Sequence, residues 1–386
     1  MNNRLTYSKK NIVPGRLRQA RIIRGLTMQE LADAIGVTRQ SVSQYELGQS
    51  NPSPAVLRRI LITLNFPRGF FFKPMRIKNV PSGTAFYRSY ATAKKKGKEQ
   101  IRERYELFIE ICEYLSRYII FPKANIPNFD KLDIRDDNIS IEEIEEIANE
   151  VRRYWGLGLG PISNVTLLLE KQGFFITRNI TNEQDVDGFS NMEGNRPFIF
   201  LSSDKECAVR TRFDVAHELG HIILHQGVEQ EDLMDREYFK KIESEAHKFA
   251  AAFLLPRESF INEVYSTSID HFLSLKERWK VSIAAMVMRC QDVGLFTESQ
   301  NLYLQKQISQ RRWRKKEPLD DTLTPENPVL IKQAFEMLLK NNVLTAHQIL
   351  EDLKLPIEEI ESLANLEPGT LSKASQVIPI NIKKYR

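Results

Sequence analysis

Apolar residues recur at intervals of three and four over much of the chain, a spacing that predicts short amphipathic helices. In the first such run Leu17, Ala20 and Ile23 lie on one face, and Gly25 ends the helix. Three stretches near the middle, FFITRNI, DGFSN and PFIFLS, instead predict a small antiparallel sheet. The pattern as a whole predicts a mainly α-helical, multidomain protein with one small sheet.

Two helices joined by a tight turn follow the first helix. Thr27 and Glu30 form a capping box at the start of MQELADAI, and Gly36 supplies the left-handed residue after it. Thr38 caps the next helix, RQSVSQYE, in which Val42 faces inward. Two short helices separated by a glycine-containing turn predict a helix-turn-helix, whose second helix enters the major groove of DNA.

The outer face of RQSVSQYE carries side chains that suit DNA, because arginine and glutamine bind the edges of guanine and adenine through paired hydrogen bonds. The stretch LTMQELADAIGVTRQSVSQYELGQSNPSPAVLRRI closely resembles the Cro/lambda-repressor type of helix-turn-helix, a five-helix domain. The resemblance implies that Gln40 and Gln44 read bases, with Arg39 close by. It also implies that Gln29 and Ser41 touch phosphates. The full set of candidate DNA contacts is Gln29, Thr38, Arg39, Gln40, Ser41, Ser43 and Gln44.

Charge is divided unevenly along the chain. Residues 1–74 contain twelve Lys or Arg and three Asp or Glu, a net charge of +9, whereas the whole chain carries +5. A basic first part on a mildly acidic body favours binding of a polyanion there, and the expected partner is a double-stranded DNA operator. Arg16 and Arg18 are candidates for contacts with the phosphates. A second basic run, RRWRKK, is either a solvated surface or a further nucleic-acid contact.

The helix RTRFDVAHELGHIILH contains the pattern H-E-x-x-H. His217 and His221 are four residues apart and project from one face, so both can ligate one metal ion. Glu218 is rotated by about 100° around the helix axis and can reach a water molecule held by the metal. Apolar neighbours predict a largely buried helix, where two imidazoles and a carboxylate are costly without a partner. The cluster therefore predicts a metal site and not a pair of ordinary core histidines.

A third ligand is expected from the next predicted helix, IESEAHKFAAAFLLP. Glu243 and Glu245 both lie there, and Glu243 is preferred because it shares a helix stripe with His247 when the apolar residues pack inward. Two histidines and a carboxylate leave the fourth position of zinc open for water, the arrangement of a catalytic site. His247 and His225 are weaker candidates for orienting a ligand by hydrogen bonding, and His225 can equally serve in packing.

Two longer motifs carry a family resemblance. They are R-x-R-F-x-x-A-H-E-L-G-H-x-x-L-H from Arg210 to His225 and E-x-x-A-x-x-F-A-x-x-F-L-x-P from Glu243 to Pro256. Both resemble the ImmA/IrrE metallopeptidases, and the segments WGLGLGPISNVTLLLEKQG and VDGFS are also similar to that family. One departure is His247, where relatives often have a small polar or acidic residue.

The resemblance implies an α+β, zincin-like fold, dependence on zinc and a protein substrate. Because known members act on repressor proteins of mobile elements and stress responses, we expect the substrate to be a repressor, an antitoxin or another regulatory protein. Zinc held by His217, His221 and Glu243 lowers the pKa of its water towards about 7 and polarises the scissile carbonyl. Glu218 then takes the proton of that water and returns it to the leaving amine.

These elements divide the chain into four predicted segments. They are a helix-turn-helix domain at 1–74, a helical connector at 75–135, a zincin-like peptidase domain at 136–300 and a helical C-terminal domain at 301–386. One helix-turn-helix contacts only a few base pairs, so we expect two chains to associate as a homodimer through the connector.

Cellular location and the alternative function follow from the remaining features. No apolar run reaches the length of a transmembrane helix and the first residues lack a secretory signal, so a cytoplasmic bacterial protein with no membrane contact is expected. Three widely separated cysteines fit a reducing compartment.

The alternative function is a DNA-binding repressor or antitoxin whose zinc domain binds a partner or ligand without cleaving it. Glu218 favours cleavage, because a purely structural zinc site needs no general base.

Overall fold

The structure is a computed structural model that describes residues 11–76, 95–129, 139–181, 186–204, 207–225, 228, 232 and 235–374. Over these residues the chain forms 17 α-helices, a short 3-10 helix and a three-stranded sheet. They fall into two compact units. Unit 1 takes in the described residues up to Arg76, from Lys95 to Ile120 and from Ile331 onwards, and unit 2 those from Phe121 to Leu330. The mainly helical, multidomain fold predicted from the sequence is confirmed.

The predicted helix-turn-helix opens unit 1. Its elements are α1 (Pro14–Ile23), α2 (Met28–Ile35), α3 (Arg39–Glu46), α4 (Pro54–Leu64) and a 3-10 helix at Arg68–Phe72. The capping box is present, since Thr27 and Glu30 each accept the backbone N–H of the other. Gly36 has φ 64° and ψ 49°, the left-handed conformation that ends α2, and the Thr38 side chain caps α3.

The other elements follow in chain order. The next helices are α5 (Lys95–Leu115), α6 (Ile141–Tyr154) and α7 (Val165–Lys171). The strands are β1 (Phe175–Asn179), β2 (Gly188–Glu193) and β3 (Arg196–Ser202). After them come α8 (Ala208–Leu224), α9 (Arg236–Leu254), α10 (Arg257–Glu263), α11 (Ile269–Trp279), α12 (Ile283–Asp292) and α13 (Glu298–Gln310). The last four are α14 (Leu330–Lys340), α15 (Ala346–Leu353), α16 (Ile357–Leu363) and α17 (Thr370–Ala374).

Helix α5 packs against α1 inside unit 1. The apolar side of α5 is almost fully buried there, at Tyr105, Phe108, Ile109, Cys112 and Leu115. We expect two chains to associate through the connector, to which α5 belongs. Because the apolar side of α5 is already covered within one chain, it does not provide that contact, and the homodimer stays a prediction.

The C-terminal helices also belong to unit 1. Glu359 of α16 forms ion pairs with Arg24 after α1, at 2.7 Å, and with Arg104 of α5, at 3.4 Å. Unit 1 thus combines parts of the predicted segments 75–135 and 301–386 with the helix-turn-helix. Contacts between residues so far apart in sequence leave no mark on the local pattern from which the segments were predicted. The division of the chain into four functional segments therefore stays a prediction.

The sheet of unit 2 is small, as predicted, but it is mixed instead of antiparallel. Its strand order is β1-β3-β2, with β2 antiparallel to β3 and β1 parallel to it. A two-residue turn with Gly194 at φ 61° joins β2 to β3, which explains their antiparallel pairing. Strand β1 pairs with the far edge of β3, where the hydrophobic pattern specifies no direction.

One hydrophobic core holds unit 2 together and includes residues from α6, the sheet, α8, α9, α11 and α12. Phe249 and Phe253 of α9 are fully buried in it, and so is Trp279 of α11. The predicted capping box of Ser140 and Glu143 starts α6. Within the described residues, no helix is long and apolar enough to cross a membrane.

Candidate functional site

The H-E-x-x-H motif lies in the middle of helix α8, as its pattern predicts. Val215, Ala216 and Leu219 anchor the helix in the core of unit 2 with no solvent exposure. The two histidines lie one helical turn apart and are themselves buried, His217 being 2% exposed and His221 8%. Nε2 of each histidine faces Glu243 of the neighbouring helix α9, and Nδ1 of His221 faces His225.

Helix α9 approaches α8 closely at the glycine of the motif. A Cβ atom added to Gly220 would lie 3.1 Å from the ring of Phe249 and 3.2 Å from the backbone of Ala246. Because these contacts are tighter than ordinary packing, glycine at this position allows the two helices to come together. Their contact brings Glu243 of α9 to the histidines of α8.

The three predicted ligands converge on one point. The Nε2 atoms of His217 and His221 are 3.0 Å apart. A carboxylate oxygen of Glu243 lies 3.5 Å from Nε2 of His217, and the other lies 3.2 Å from Nε2 of His221. Zinc held tetrahedrally by donors at about 2.0–2.1 Å would keep those donors about 3.3 Å apart. The distances between the two imidazole nitrogens, and from each of them to the nearer oxygen of Glu243, are therefore close to those of a tetrahedral metal site.

Protonation states at this point also suit a metal. Burial lowers the pKa of His217 well below its ordinary value of 6.5, although the hydrogen bond with Glu243 raises it. Burial raises the pKa of Glu243, but hydrogen bonds with His217 and His221 outweigh burial and lower that pKa overall. Neutral imidazole and ionised carboxylate are the forms that bind metal ions. Unit 2 therefore favours the ligand forms of these side chains.

Glu218 is buried beside this cluster and is held by a residue that the sequence did not single out. The Oγ atom of Ser190 in β2 lies 2.7 Å from Oε2 of Glu218 and 3.2 Å from its backbone oxygen. The other carboxylate oxygen, Oε1, lies beside Gly188 of the same strand. The segment VDGFS carried the family resemblance, but contact with Glu218 depends on the packing of β2 on α8. Ser190 thus fixes the predicted general base.

The two glutamates that competed as third ligand have different partners. Glu243 faces His217 and His221, whereas Oε2 of Glu245 lies 3.1 Å from Nε2 of His225. Glu245 is turned away from the histidine pair, as expected, but it is buried and not solvated. Burial lowers the pKa of His225 to about 4, although the hydrogen bond with Glu245 raises it. A neutral, buried His225 therefore links Glu245 to His221, whose Nδ1 is 3.0 Å away.

His247 lies at the exposed side of the cluster. Its Nδ1 atom is 2.9 Å from the backbone oxygen of Glu243, and its ring centroid is 4.4 Å from that of His217. One donor atom of each of His217, Glu243 and His247 lies within 4.8 Å of the others. His247 therefore contacts a predicted ligand, as expected, and is also close enough to act as a further metal donor.

Helix α3 presents polar side chains outward, as its pattern predicts. Arg39 and Gln40 at its start are exposed, while Ser43 and Gln44 one turn later are half-buried. Val42 on the opposite side is fully buried. The side chains predicted to read bases therefore lie on one accessible face of the second helix of the helix-turn-helix.

The predicted phosphate contacts lie at the starts of α2 and α3. Gln29 is exposed and donates a hydrogen bond to Asp33, at 2.8 Å. Thr38 accepts the backbone N–H of Ser41, and the two hydroxyl oxygens are 2.9 Å apart. Gln29, Thr38 and Ser41 therefore place polar side chains at the starts of helices, where a phosphate is favoured.

The prediction that Arg16 contacts a phosphate is wrong. Its guanidinium has no solvent exposure and forms an ion pair with Glu110 of α5, at 2.6 Å. It also donates to the backbone oxygens of Lys73 and Pro74. The number of Lys and Arg residues in a segment does not show which of them are exposed and which form buried ion pairs within a unit. Arg18 on the same helix is exposed, in agreement with its predicted role.

Comparison with known protein families agrees with both parts of this description. Residues 17–71 match the family model described as Helix-turn-helix. Residues 169–291 match the family model described as the IrrE N-terminal-like domain, peptidase family M78. The second match contains α8, α9 and the sheet, and so includes every candidate ligand described above. The chain therefore combines a helix-turn-helix domain with an IrrE-like domain of the M78 peptidases, and both predicted resemblances are confirmed.

One curated relative is similar to a part of the chain. This is the SPbeta prophage-derived uncharacterized HTH-type transcriptional regulator YonR of Bacillus subtilis (strain 168), which is 33% identical over 58 residues. The matched region is 15% of the present chain and 54% of that relative. The chain thus spans about half the length of this relative.

Proposed function

We propose that this protein is a DNA-binding transcriptional regulator whose second unit is a zinc-dependent endopeptidase acting on a repressor, an antitoxin or another regulatory protein. The observation that carries the proposal is the convergence of His217, His221 and Glu243 within 3.5 Å of one another, beside the buried carboxylate of Glu218. The match to the M78 peptidases supports the same reading.

His217, His221 and Glu243 would hold the zinc ion, because imidazole nitrogens and a carboxylate are ligands that zinc accepts. When bound, zinc supplies Lewis acidity, which acidifies water and polarises a carbonyl group. Glu218 accepts a proton from water and delivers it to the leaving amine. The hydroxyl of Ser190 donates a hydrogen bond of 2.7 Å to Oε2 of Glu218 and keeps the carboxylate in place.

A protein substrate fits the surroundings of Glu218. Strand β2, which contacts Glu218 through Ser190, is an edge strand of the described three-stranded sheet. Edge strands bind extended peptides by adding them to the sheet through backbone hydrogen bonds. An extended segment paired with β2 would pass the predicted general base, and we therefore propose a flexible or unfolded segment of a regulatory protein as the substrate.

The DNA-binding role rests on α3. Exposed Arg39 and Gln40 and half-buried Gln44 are placed to reach base edges in the major groove. The similarity of a part of the chain to a protein named as an HTH-type transcriptional regulator supports this role. We further propose that the protein acts in the bacterial cytoplasm and binds its operator as a homodimer with inverted half-sites. Sedimentation of the protein as a monomer on saturated operator DNA would contradict the dimer.

A second candidate function is a repressor or antitoxin whose zinc domain does not cleave. His247 favours it, because a fourth protein ligand would close a tetrahedral site and leave no position for water. The M78 domain would then bind a partner protein or a ligand. Retention of Glu218, held by Ser190, favours the peptidase.

The two functions differ in what Glu218→Gln does. The variant keeps the size and hydrogen bonding of the side chain but accepts no proton, so zinc should stay bound while cleavage falls by at least about a hundredfold. Zinc-loaded protein is incubated with the proteins encoded beside its gene, and fragments are identified by mass spectrometry. His217→Ala is the matched variant that should lose both zinc and cleavage.

The outcomes separate the two candidates. Zinc retained in His217→Ala and in His221→Ala would remove the basis of the metal site. Cleavage at the parent rate by Glu218→Gln would exclude Glu218 as the base. If the parent cleaves none of these proteins but binds its operator, and His247→Ala restores cleavage, His247 closes the site in the parent.

A further inference from the structure

A buried chain of hydrogen bonds leads from the predicted ligands to the second glutamate of α9. Nδ1 of His221 lies 3.0 Å from Nδ1 of His225, and Nε2 of His225 lies 3.1 Å from Oε2 of Glu245. His225 is 1% exposed and Glu245 is 5% exposed. Little water can therefore compete for these polar atoms, and each must be satisfied by its neighbour.

One arrangement of protons joins all three residues when Nε2 of His221 binds zinc. A carboxylate accepts hydrogen bonds, and Oε2 of Glu245 faces Nε2 of His225. His225 therefore carries a proton on Nε2 and presents the lone pair of Nδ1 to His221. The Nδ1 of His221 must then be the donor to that lone pair.

This arrangement decides the state of His221. A neutral imidazole that carries its proton on Nδ1 has its lone pair on Nε2. Nε2 is the atom of His221 that faces His217 and Glu243, at 3.0 Å and 3.2 Å. In the zinc-loaded protein, the chain from Glu245 thus leaves the lone pair of His221 on Nε2, the nitrogen that faces the donor cluster.

We propose that Glu245 and His225 form a relay that fixes the ring tautomer and the orientation of His221 for metal binding. The proposal rests on the proposed function, because it takes His221 as a zinc ligand. Glu245 and His225 are positioning residues and do not touch the substrate. His217 has no equivalent relay in the part of the chain that the structure describes, since its Nδ1 atom is buried there with no hydrogen-bond partner.

The first test measures zinc affinity in the full-length protein, by competition with a chromogenic chelator at fixed pH. Hydrogen-bonding partners of metal ligands typically contribute a factor of about 10–100 to metal affinity. Glu245→Ala and His225→Ala should each weaken zinc binding by about that factor. The double variant should bind zinc no more weakly than the weaker single variant, because the relay is broken once in either case.

Two variants control for a general loss of structure. Glu245→Gln keeps an oxygen that accepts the Nε2 proton of His225, so it should retain most of the affinity that Glu245→Ala loses. Glu170→Gln changes a buried carboxylate of the same unit, which accepts the backbone N–H groups of Val329 and Leu330. It should bind zinc with the parent affinity, and circular dichroism should show the same helix content in all these variants.

The outcomes distinguish the relay from the metal site itself. Parent affinity in Glu245→Ala and His225→Ala, or losses that simply add in the double variant, would overturn the relay and leave the zinc site standing. A parent protein that binds no zinc at all would overturn the site and the relay together. Equal losses in Glu170→Gln would show that general destabilisation, and not the relay, weakens zinc binding.

The second test reads the tautomers directly. Nitrogen-15 labelled histidine distinguishes Nδ1–H from Nε2–H rings by their long-range couplings to the ring protons. In the zinc-loaded protein we expect an Nδ1–H ring for His221 and an Nε2–H ring for His225. Glu245→Ala should broaden or shift the signals of both rings. An Nε2–H ring at His221 in the zinc-loaded parent would refute the relay, because Nε2 would then not be a ligand.

Discussion

The helix that is predicted to read DNA and the helix that is predicted to bind zinc differ in the exposure of their polar side chains. Helix α3 leaves Arg39 and Gln40 exposed, where a partner outside the chain can meet them. Helix α8 buries His217, Glu218 and His221, and each is met by a side chain of β2, α8 or α9. The exposed face is completed only by its ligand, whereas the buried cluster is ordered before a metal or a substrate binds.

The same comparison holds for buried polar residues of the helix-turn-helix, which serve stability. Arg21 and Glu46 form a buried pair with two hydrogen bonds of 2.6 Å and 2.8 Å. Glu46→Ala would leave the Arg21 charge buried without its carboxylate, and it should lower the free energy of unfolding by about 3–5 kcal/mol. Urea denaturation followed by circular dichroism measures the loss, and zinc content should not change.

Glu30→Ala provides the matched control for that prediction. Glu30 is an exposed carboxylate of the same domain, so its removal should cost far less than the removal of Glu46. Equal losses in the two variants would contradict the difference between buried and exposed polar residues. A loss of zinc in Glu46→Ala would show that the two units are coupled.

The exposed face of α3 should act on sequence preference and not on stability. Gln40→Ala and Gln44→Ala each remove a candidate base contact, which is worth about 1–3 kcal/mol of discrimination between bases. We expect relaxed preference at one or two base pairs of the site selected by the parent from a randomised duplex pool. Fluorescence anisotropy on single-base variants of that site measures the change.

Gln333→Ala, an exposed glutamine of α14, is the control and should keep the full preference of the parent. Unchanged preference in both α3 variants would assign base reading to another part of the chain. Peptidase activity should survive in all three variants, because the changes lie outside the IrrE-like domain.

The smaller effect within the buried cluster is expected at Ser190. Ser190→Ala removes the hydroxyl that holds Glu218, a hydrogen bond worth about 1 kcal/mol, so kcat should fall roughly fivefold. Zinc affinity should stay at the parent value, because the hydroxyl of Ser190 bonds to Glu218, which is not a predicted ligand. Ser190→Thr keeps the hydroxyl and should recover part of the rate. A drop in zinc affinity in Ser190→Ala would mean that the serine supports the metal site itself.

Sequence reasoning succeeded where the signal is local. The capping box of Thr27 and Glu30 depends on two residues that are three positions apart. The placement of His217 and His221 on one face depends on a spacing of one helical turn. It failed where a partner is distant in sequence. Ser190 contacts Glu218 because β2 packs on α8. The sequence around Ser190 does not reveal that packing.

Burial of charge was the second source of error. Arg16 and Arg18 differ by two positions, which places them on different sides of α1. The sequence shows two arginines in a basic segment and gives both the same expected role. The structure assigns Arg16 to an ion pair with Glu110, whose position depends on where α5 packs, and leaves Arg18 on the surface.

These two arginines provide the last and smallest test of the comparison. If Arg18 contacts a phosphate, Arg18→Ala should weaken binding to all DNA sequences alike and reduce the salt dependence of affinity by about one counterion. The logarithm of the association constant is measured against the logarithm of salt concentration, on the selected site and on an unrelated duplex. The slope should fall equally on both.

Arg16→Ala should instead lower the free energy of unfolding of unit 1, because it leaves Glu110 buried with one partner fewer. Under conditions in which Arg16→Ala remains folded, its salt slope should match that of the parent. A reduced slope in Arg16→Ala with unchanged stability would mean that Arg16 reaches DNA after all, and the separation of exposed binding residues from buried structural ones would not hold in this domain.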